Sequence, residues 1–384
     1  MNLNNGLDIE LDKATEALFK RGQIARWKII SPVERFLAKR ADKWLFFKNL
    51  YVAYYRIFDR EYYNGGLKSI EKTIAYFRPN ISPKKKKEVT VDMVYSLHRF
   101  GAMFTEYFLF EFPSLNTNGR HAFVTDKLRY SYCEILNGHE ALNLFDYKEK
   151  THEKYREYYG RRVVYVAKDS DASEIADFTS LHRNVILKTS KSSCGRGVEI
   201  VNCDEFKSGN ELLNYIRAKA PCILEEVIQN HDTLREFYDM ALSTVRIATV
   251  VTSEGPEIFA SNIRFGKGGS VIDNVGVGGI GAVVDIHSGI VVTPAFDKGG
   301  NKYLVHPDSH KTIIGFQIPE WNEAKKLAKQ LGLIDTRNRY VGWDLAYSPK
   351  GWLMIEGNAR GEFYGLQSPD KTGKKKWLEE LVMK

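Results

Sequence analysis

The spacing of apolar residues changes near residue 120, and few folds accommodate such a change. Before it, apolar and aromatic residues recur at helical spacing, and VDMVYSLHRFGAMFTEYFLFEF predicts one aromatic helix from Thr90 to Pro113. After it, β-branched runs alternate with helix-like stretches, as in NVILK (184–188), GVEIV (197–201) and PCILEEVI (221–228). A helical region followed by alternating strands and helices predicts the α+β class.

Shorter signals predict the individual elements. A helix is predicted from Pro32 through Leu45, because proline suits a first turn. Gly65-Gly66 predicts a break before a short helix at Leu67–Phe77. Further strands are predicted at RIATVV (246–251), EIFASNIRF (257–265), GAVVDI (281–286), GIVVTP (289–294), YVGWDLAYS (340–348) and GWLMIEGN (351–358), the last two joined by a Pro-Lys-Gly turn.

The formal charge of +8 lies entirely in the first third of the chain. Residues 1–120 contain 21 Lys and Arg against 13 Asp and Glu, and they include the run Lys84–Lys87. A basic surface attracts anionic partners, so an anionic polymer or a membrane-bound carrier is expected there. The alternative is a solvated face that only keeps the protein soluble. No specific nucleic-acid partner is expected.

Other features indicate a cytoplasmic enzyme. A peripheral association with the inner face of the membrane is also expected. Cys133, Cys194, Cys203 and Cys222 form no CxxC pair and no zinc-type cluster, so no disulfide framework is predicted. The start of the chain lacks the basic-then-apolar pattern of a signal peptide, and no run of eighteen apolar residues predicts a membrane span.

A loop of small residues follows the strand that ends at Lys188. In NVILKTSKSSCGRGVEIV, Thr189 to Gly197 contains little steric bulk, so backbone N–H groups there could approach phosphate oxygens closely. The lysine adds a positive charge beside them. This is not a Walker loop, which needs GxxxxGK[ST] between a strand and a helix. An ordinary hairpin loop would show the same residues.

The last predicted hairpin carries two carboxylates and an amide. Glu356 and Asn358 lie two residues apart on one strand and therefore share a face, and the turn can bring Asp344 beside them. Carboxylate and amide oxygens suit Mg²⁺, with water and phosphate oxygens completing its shell. The alternative is a polar rim, although carboxylates among apolar neighbours would be costly to bury unpaired.

These motifs, in this order and spacing, resemble the ATP-grasp superfamily over roughly residues 120–384. Asp126-Lys127-Leu128 also looks like the DKL motif of D-alanine–D-alanine ligases. The resemblance implies an ATP-grasp fold, in which two α+β subdomains grip ATP, preceded by a mainly helical region. The domains expected are a basic helical region at 1–119, a first subdomain at 120–225 and a second subdomain at 226–384.

The resemblance also implies roles for single residues. Those expected to bind ATP are Lys127 and Lys188 at the phosphates, Ser193, Gly195 and Gly197 in the flexible loop, and Glu225, Glu226, Ile228 and Asp232 at adenine and ribose. His231 is the alternative to Asp232. Asp344, Glu356 and Asn358 are expected to hold two Mg²⁺ ions, with Glu356 bridging them.

Within the superfamily, the stretches STVRIAT (243–249) and SNIRFGKGGSVIDNVGVGGIGAVVD (261–285) resemble the sugar-transfer-associated group. Such proteins are associated with the biosynthesis of surface polysaccharides. One departure is Gly342, which stands where common ATP-grasp ligases have the arginine that neutralises the transferred phosphate. The candidates for that catalytic role are Arg246, Arg264 and Arg360.

The function implied is an ADP-forming ligase that makes a C–N bond through an acyl phosphate. Its substrates would be a small-molecule or sugar carboxylate and an amine or amino acid. Catalysis would consist mainly of positioning and charge neutralisation. Two alternatives stay open at this point: an ATP-grasp phosphotransferase that acts on a hydroxyl, and a non-catalytic nucleotide-binding protein.

Overall fold

The computed structural model describes residues 31–191 and 197–383. The α-helices are α1 (Pro32–Ala41), α2 (Leu45–Phe58), α3 (Arg60–Phe77), α4 (Pro83–Phe100), α5 (Phe104–Leu109), α6 (Thr117–His121), α7 (Asp126–Asn137), α8 (His139–Asp146), α9 (Lys148–Tyr155), α10 (Ala172–Leu181), α11 (Gly209–Ala218), α12 (Asp232–Arg235), α13 (Trp321–Ile334), α14 (Tyr364–Gln367) and α15 (Lys375–Val382). The β-strands are β1 (Val163–Val166), β2 (Asn184–Thr189), β3 (Val198–Asn202), β4 (Cys222–Glu226), β5 (Thr244–Thr252), β6 (Gly255–Phe265), β7 (Ile280–Val283), β8 (Ala295–Phe296), β9 (Lys302–Tyr303), β10 (Tyr340–Ser348) and β11 (Gly351–Asn358).

Contacts between residues divide the chain into two units. The helical unit contains residues 31–135 and 362–383 with a short piece at Gly299–Asn301, and the sheet unit contains Leu136–Lys298 and Lys302–Gly361. The helical unit has an aromatic core, built from buried rings such as Tyr51, Tyr95, Tyr107, Phe110 and Phe112. The α+β class is confirmed. The three predicted domain limits stay a prediction.

The single aromatic helix predicted between Thr90 and Pro113 is wrong in its limits. Helix α4 begins at Pro83, where the Ser82 hydroxyl accepts from a first-turn N–H, and it ends at Gly101 in the left-handed conformation (φ 73°). Thr90 therefore lies inside the helix, and the lysine run forms its first turn. Glycine terminates the helix because it adopts positive φ without the steric cost of a Cβ.

The predicted helix from Pro32 through Leu45 is two helices. Helix α1 ends at Ala41, and Trp44 has extended backbone (φ −129°, ψ 121°) before α2 begins. The predicted break at Gly65-Gly66 is absent, since α3 runs through both glycines. Each glycine costs about 1 kcal/mol in a helix interior. The burial of Ile70 and Ile74 in the aromatic core offsets that cost.

The sheet unit contains a four-stranded antiparallel sheet in the order β1-β4-β2-β3. One face is covered by α10 and α11, and its core includes Phe178, Val185, Leu187 and Leu224. Side chains alternate between the faces of a strand, so Lys188 lies on the opposite face from this core. That face leads to the candidate site.

A second sheet in the same unit has seven antiparallel strands in the order β11-β10-β5-β6-β7-β8-β9, with α13 packed against its core. The predicted hairpin of β10 and β11 is confirmed. The predicted strand at 289–294 is wrong, because its residues form only isolated bridges, such as Val291 with Val284. Within the described ranges, no helix combines the length and apolar character needed to cross a membrane.

Candidate functional site

Three adjacent strands of the seven-stranded sheet place Arg246, Asp344 and Glu356 side by side. Asp344 on β10 pairs with Arg246 on β5 and with Glu356 on β11. Asn358 lies two residues beyond Glu356, and its Nδ2 donates to Asp344 Oδ2 at 3.3 Å. The hairpin register therefore brings the three predicted metal-binding residues together.

Asp344 is buried between two arginines. Arg246 Nε and Nη2 donate to its two oxygens at 2.7 and 2.8 Å, and Arg264 Nη2 lies 2.8 Å from Oδ2. Burial alone would raise the pKa of Asp344, but the two guanidinium charges outweigh it and lower the pKa to about 2. Asp344 is therefore a carboxylate at neutral pH, and two of the three candidate catalytic arginines contact it.

Glu356 has a different environment from Asp344. Burial and the charge of Asp344 raise its pKa, while Lys148 and Lys188 oppose the rise. Among the described residues, none forms a hydrogen bond or ion pair with the Glu356 carboxylate. A half-buried carboxylate of this kind, beside a second carboxylate and an amide oxygen, is chemically suited to a hard cation. Mg²⁺ would be held by Asp344, Glu356 and the Asn358 side-chain oxygen.

The four-stranded sheet contributes a buried ion-pair network around Glu225. Lys188 Nζ lies 2.9 Å from Glu225 Oε1, and Arg161 Nη2 lies 2.7 Å from Oε2. Arg161 Nη1 also donates to the Met354 carbonyl of β11 at 2.7 Å, which joins the two sheets beside Glu356. Burial would raise the pKa of Glu225, but Arg161 and Lys188 lower it to about 2. The sequence pattern gave no sign of Arg161 or of this network.

Acidification is expected to weaken the fold through Glu225. Its folded-state pKa lies below the ordinary value of 4.5 that it regains on unfolding, so its stabilising contribution is complete above pH 4.5 and is lost as the pH falls toward 2. Between pH 6 and pH 3 Glu225 should account for about 2 kcal/mol of the loss in the free energy of unfolding, measured in urea by tryptophan fluorescence. The Glu225→Gln variant should lose less over that range. Equal losses would show that Glu225 is not stabilised as a carboxylate.

Lys148 is a site residue that the sequence patterns missed. It is the first residue of α9, its N–H donates to the Ser190 carbonyl at 3.4 Å, and burial lowers its pKa, whereas the charge of Glu356 raises it. Lys148 and Lys188 therefore both act on Glu356. The only local signal was a lysine at the start of a charged helix, which many surface helices share. Lys127 lies on α7 in the helical unit and stays a prediction.

Of the predicted adenine and ribose residues, Glu225 and Glu226 end β4 and Ile228 and Asp232 follow it, and their roles stay predictions. The Glu226 N–H already donates to the Arg162 carbonyl at 3.1 Å, so its own carbonyl is the group left for a base. Ile228 is half-buried after the strand, and Asp232 forms an exposed ion pair with Arg235. The side chain of the alternative, His231, is occupied in capping α12. Of the predicted loop residues, Gly197 has φ 68°, and Ser193 and Gly195 lie outside the described residues.

The geometry at Gly342 shows which arginine occupies the space where the last hairpin lacks one. A Cβ at position 342 would lie 3.4 Å from Cδ of Arg246, so the Arg246 side chain crosses β10 directly over Gly342. A guanidinium therefore reaches the predicted metal-binding residues from the neighbouring strand β5. The third candidate, Arg360, is held 2.7 Å from Asp146. Arg246 and Arg264 are the two that converge on Asp344.

Comparison of the structure with solved structures shows weak overall likeness. The ligase PsnB with a phosphomimetic variant of its minimal precursor, Mg and ADP is 11% identical, with 67% of this chain and 66% of that chain covered and a TM-score of 0.41. N5-carboxyaminoimidazole synthase from Aspergillus clavatus is 10% identical, with 66% of this chain and 58% of that chain covered and a TM-score of 0.39. D-alanyl-alanine synthetase A from Vibrio cholerae is 8% identical, with 62% of this chain and 61% of that chain covered and a TM-score of 0.37. The chain thus spans slightly less than two thirds of the length of these proteins.

Comparison by sequence gives a family. No curated protein matches the chain. A family profile described as sugar-transfer-associated ATP-grasp matches residues 115–381, which is more than half of the sequence. This match covers both sheets, the Asp344 hairpin and the lysines that face it. The chain therefore belongs to the sugar-transfer-associated ATP-grasp family and has the ATP-grasp fold.

Proposed function

We propose that this protein is an ATP- and Mg²⁺-dependent ligase that joins a carboxylate to an amine, with release of ADP and phosphate. The observation that carries the proposal is a cluster of four cations, in which Arg246 and Arg264 contact the buried Asp344 and Lys148 and Lys188 act on its half-buried neighbour Glu356. Such a cluster is suited to a polyphosphate with its metal, because each negative group would meet a preorganised positive one. The membership of the ATP-grasp family supports the same assignment.

The residues of the chain have distinct tasks in this reaction. Lys188 and Lys148 neutralise the ATP phosphates, and Glu225 holds Lys188 in place through its 2.9 Å ion pair. Arg246 lies beside Asp344. There its guanidinium can neutralise charge on the γ-phosphate while that phosphate is transferred to an oxygen of the substrate carboxylate. The amine then attacks the acyl carbon, forms the C–N bond and expels phosphate. Mg²⁺ bound at Asp344, Glu356 and Asn358 would neutralise further phosphate charge.

The substrates follow from the family description and from the chemistry. We infer that the carboxylate belongs to a sugar acid and that the amine is an amino acid or a small amine, within the biosynthesis of a surface polysaccharide in the cytoplasm. The support for the sugar is the sugar-transfer association of the family. A screen of amino acids against uronic acids, with phosphate release as the readout, would identify the pair.

An acyl-phosphate intermediate is expected to be trapped by hydroxylamine. With ATP, Mg²⁺ and the correct carboxylate, but without the amine, hydroxylamine should give a hydroxamate in proportion to ADP and phosphate. The reason is that hydroxylamine attacks an acyl phosphate readily and an ordinary phosphate ester does not. Mass spectrometry of the product and chromatography of the nucleotide measure both. The formation of AMP and pyrophosphate would mean adenylation and would contradict the mechanism.

One observation supports the phosphotransferase as a second candidate. Asp273 is buried 3.7 Å from Arg264 and accepts from the Thr244 N–H at 2.9 Å. Burial raises its pKa despite the charge of Arg264, so it is a stronger base than an exposed aspartate. A base near the transferred phosphate could deprotonate a hydroxyl acceptor. A phosphorylated alcohol as the stable product, without hydroxamate, would select this alternative.

A further inference from the structure

Helix α2 is apolar on two opposite faces. One face buries Tyr51 and Tyr55 in the aromatic core of the helical unit. The other carries Phe46, Leu50 and Ile57, whose spacing of four and seven residues puts them on one stripe. Phe46 is 67% and Ile57 is 71% exposed. A helix that is apolar all round is normally covered on all sides, so this outer stripe indicates a missing partner.

The stripe continues into a cluster of aromatic rings on α1. The ring of Phe46 lies 5.5 Å from that of Phe47, which in turn lies 6.4 Å from the ring of Phe36. Trp44 and Leu45, at the start of α2, are also mostly exposed. The exposed apolar side chains of the two helices therefore form one patch, which we call the α1–α2 face.

The charges around the α1–α2 face are almost all positive. Between residues 31 and 60 the exposed charged residues are the cations Arg35, Lys39, Arg40, Lys43, Arg56 and Arg60 and the single acid Asp59. The Arg40 guanidinium lies 3.6 Å above the Phe36 ring, so a cation is held at the edge of the apolar patch. Long cationic side chains in this position can cover apolar surface while their charged ends reach outward.

We propose that the α1–α2 face docks on the surface of a bilayer that contains anionic lipid. The apolar stripe would enter the boundary of the acyl chains, and Lys39, Arg40 and Lys43 would meet lipid phosphates. A second copy of the same face would oppose cation to cation. A nucleic acid would neutralise the cations but leave the stripe in water. Anionic lipid accounts for both features, and the proposal does not depend on the reaction at the ATP-grasp site.

The test is flotation of the full chain with vesicles of stated composition. The protein should bind vesicles of phosphatidylcholine and phosphatidylglycerol in equal parts and should bind pure phosphatidylcholine far more weakly. The double variant Phe46→Glu/Ile57→Glu should reduce the partition coefficient on anionic vesicles by about tenfold or more. Both side chains are exposed, so the fold should be retained, which circular dichroism verifies. Lys39→Gln/Lys43→Gln should weaken binding in low salt and have less effect in high salt.

Matched controls separate this face from other causes. Leu181→Glu/Leu304→Glu changes two apolar residues of the sheet unit that are 63% and 64% exposed, and it should leave vesicle binding unchanged. Vesicle binding that survives the α2 substitutions but is lost on neutralising Lys84–Lys87 would overturn the proposal. The proposal would also be overturned if the protein formed a dimer without lipid and the α2 substitutions dissociated that dimer. The same holds if the α2 substitutions abolished oligonucleotide binding and left vesicle binding intact.

Discussion

The Glu356→Gln variant is expected to lose at least about a hundredfold in kcat at saturating ATP and Mg²⁺, which corresponds to roughly 3 kcal/mol of transition-state stabilisation. Glutamine keeps the size of the side chain but removes one of the two carboxylate charges that would hold the metal. The remaining carboxylate, Asp344, is shared with Arg246 and Arg264 and cannot supply that charge alone. The measurement is ADP release by steady-state kinetics with increasing Mg²⁺.

The stability of this variant separates a catalytic role of Glu356 from a structural one. The folded-state pKa of Glu356 is raised, so its ionised form destabilises the fold at neutral pH. Without Mg²⁺, Glu356→Gln should therefore unfold at the same temperature as the parent protein or at a higher one. Glu254→Gln, the same change in the exposed turn before β6, should alter neither property. Near-parental turnover of Glu356→Gln would contradict the metal assignment.

The parts of the site that the sequence predicted are those set by local geometry. Glu356 and Asn358 share a face because side chains alternate along a strand, and a short turn places Asp344 opposite. Register in a tight hairpin follows from the turn and from which face is buried, so two of the three strands at the candidate site, β10 and β11, could be placed without a structure.

The parts that the sequence did not predict depend on contacts between distant segments. Arg161 and Glu225 are 64 positions apart, and their ion pair exists only because β1 and β4 are paired. The position of Lys148 likewise depends on where α9 packs. Its own stretch, KEKTHEKY, has no clear apolar face that would indicate this packing. A pattern of spacing contains no information on which of several nearby lysines faces a sheet.

The helical unit shows how tertiary packing overrides local signals. Gly65-Gly66 predicted a break, yet α3 continues because Ile70 and Ile74 anchor it in the core. Gly101 was not predicted to end a helix, since the aromatic run continues past it. At Gly65-Gly66 the energetic difference between the two outcomes is a few kcal/mol and residues of the core supply it, whereas Gly101 ends α4 through its own left-handed conformation.

The Lys188→Met variant is expected to raise the Kd for ATP by at least about tenfold and to lower the free energy of unfolding by about 2 kcal/mol. Methionine keeps much of the aliphatic stem but removes the charge that is proposed to meet the phosphates. Unlike an exposed phosphate-binding lysine, Lys188 also pairs with the buried Glu225, which would then retain only Arg161 as its cation. The two effects are measured by isothermal titration with ATP and by urea unfolding.

A second substitution separates the two roles of Lys188. In the double variant Lys188→Met/Glu225→Gln the buried Arg161 also loses its carboxylate partner, so the free energy of unfolding should fall below that of Lys188→Met while the Kd for ATP stays the same as in the single variant. Lys168→Met, at an exposed lysine after β1 and outside the small-residue loop, should change neither quantity. If the Kd for ATP instead rose further together with the loss of stability, Lys188 would act only by supporting the fold. The lysine that binds the ATP phosphates would then have to be Lys148, and the Lys148→Met variant should weaken ATP binding with little loss of stability.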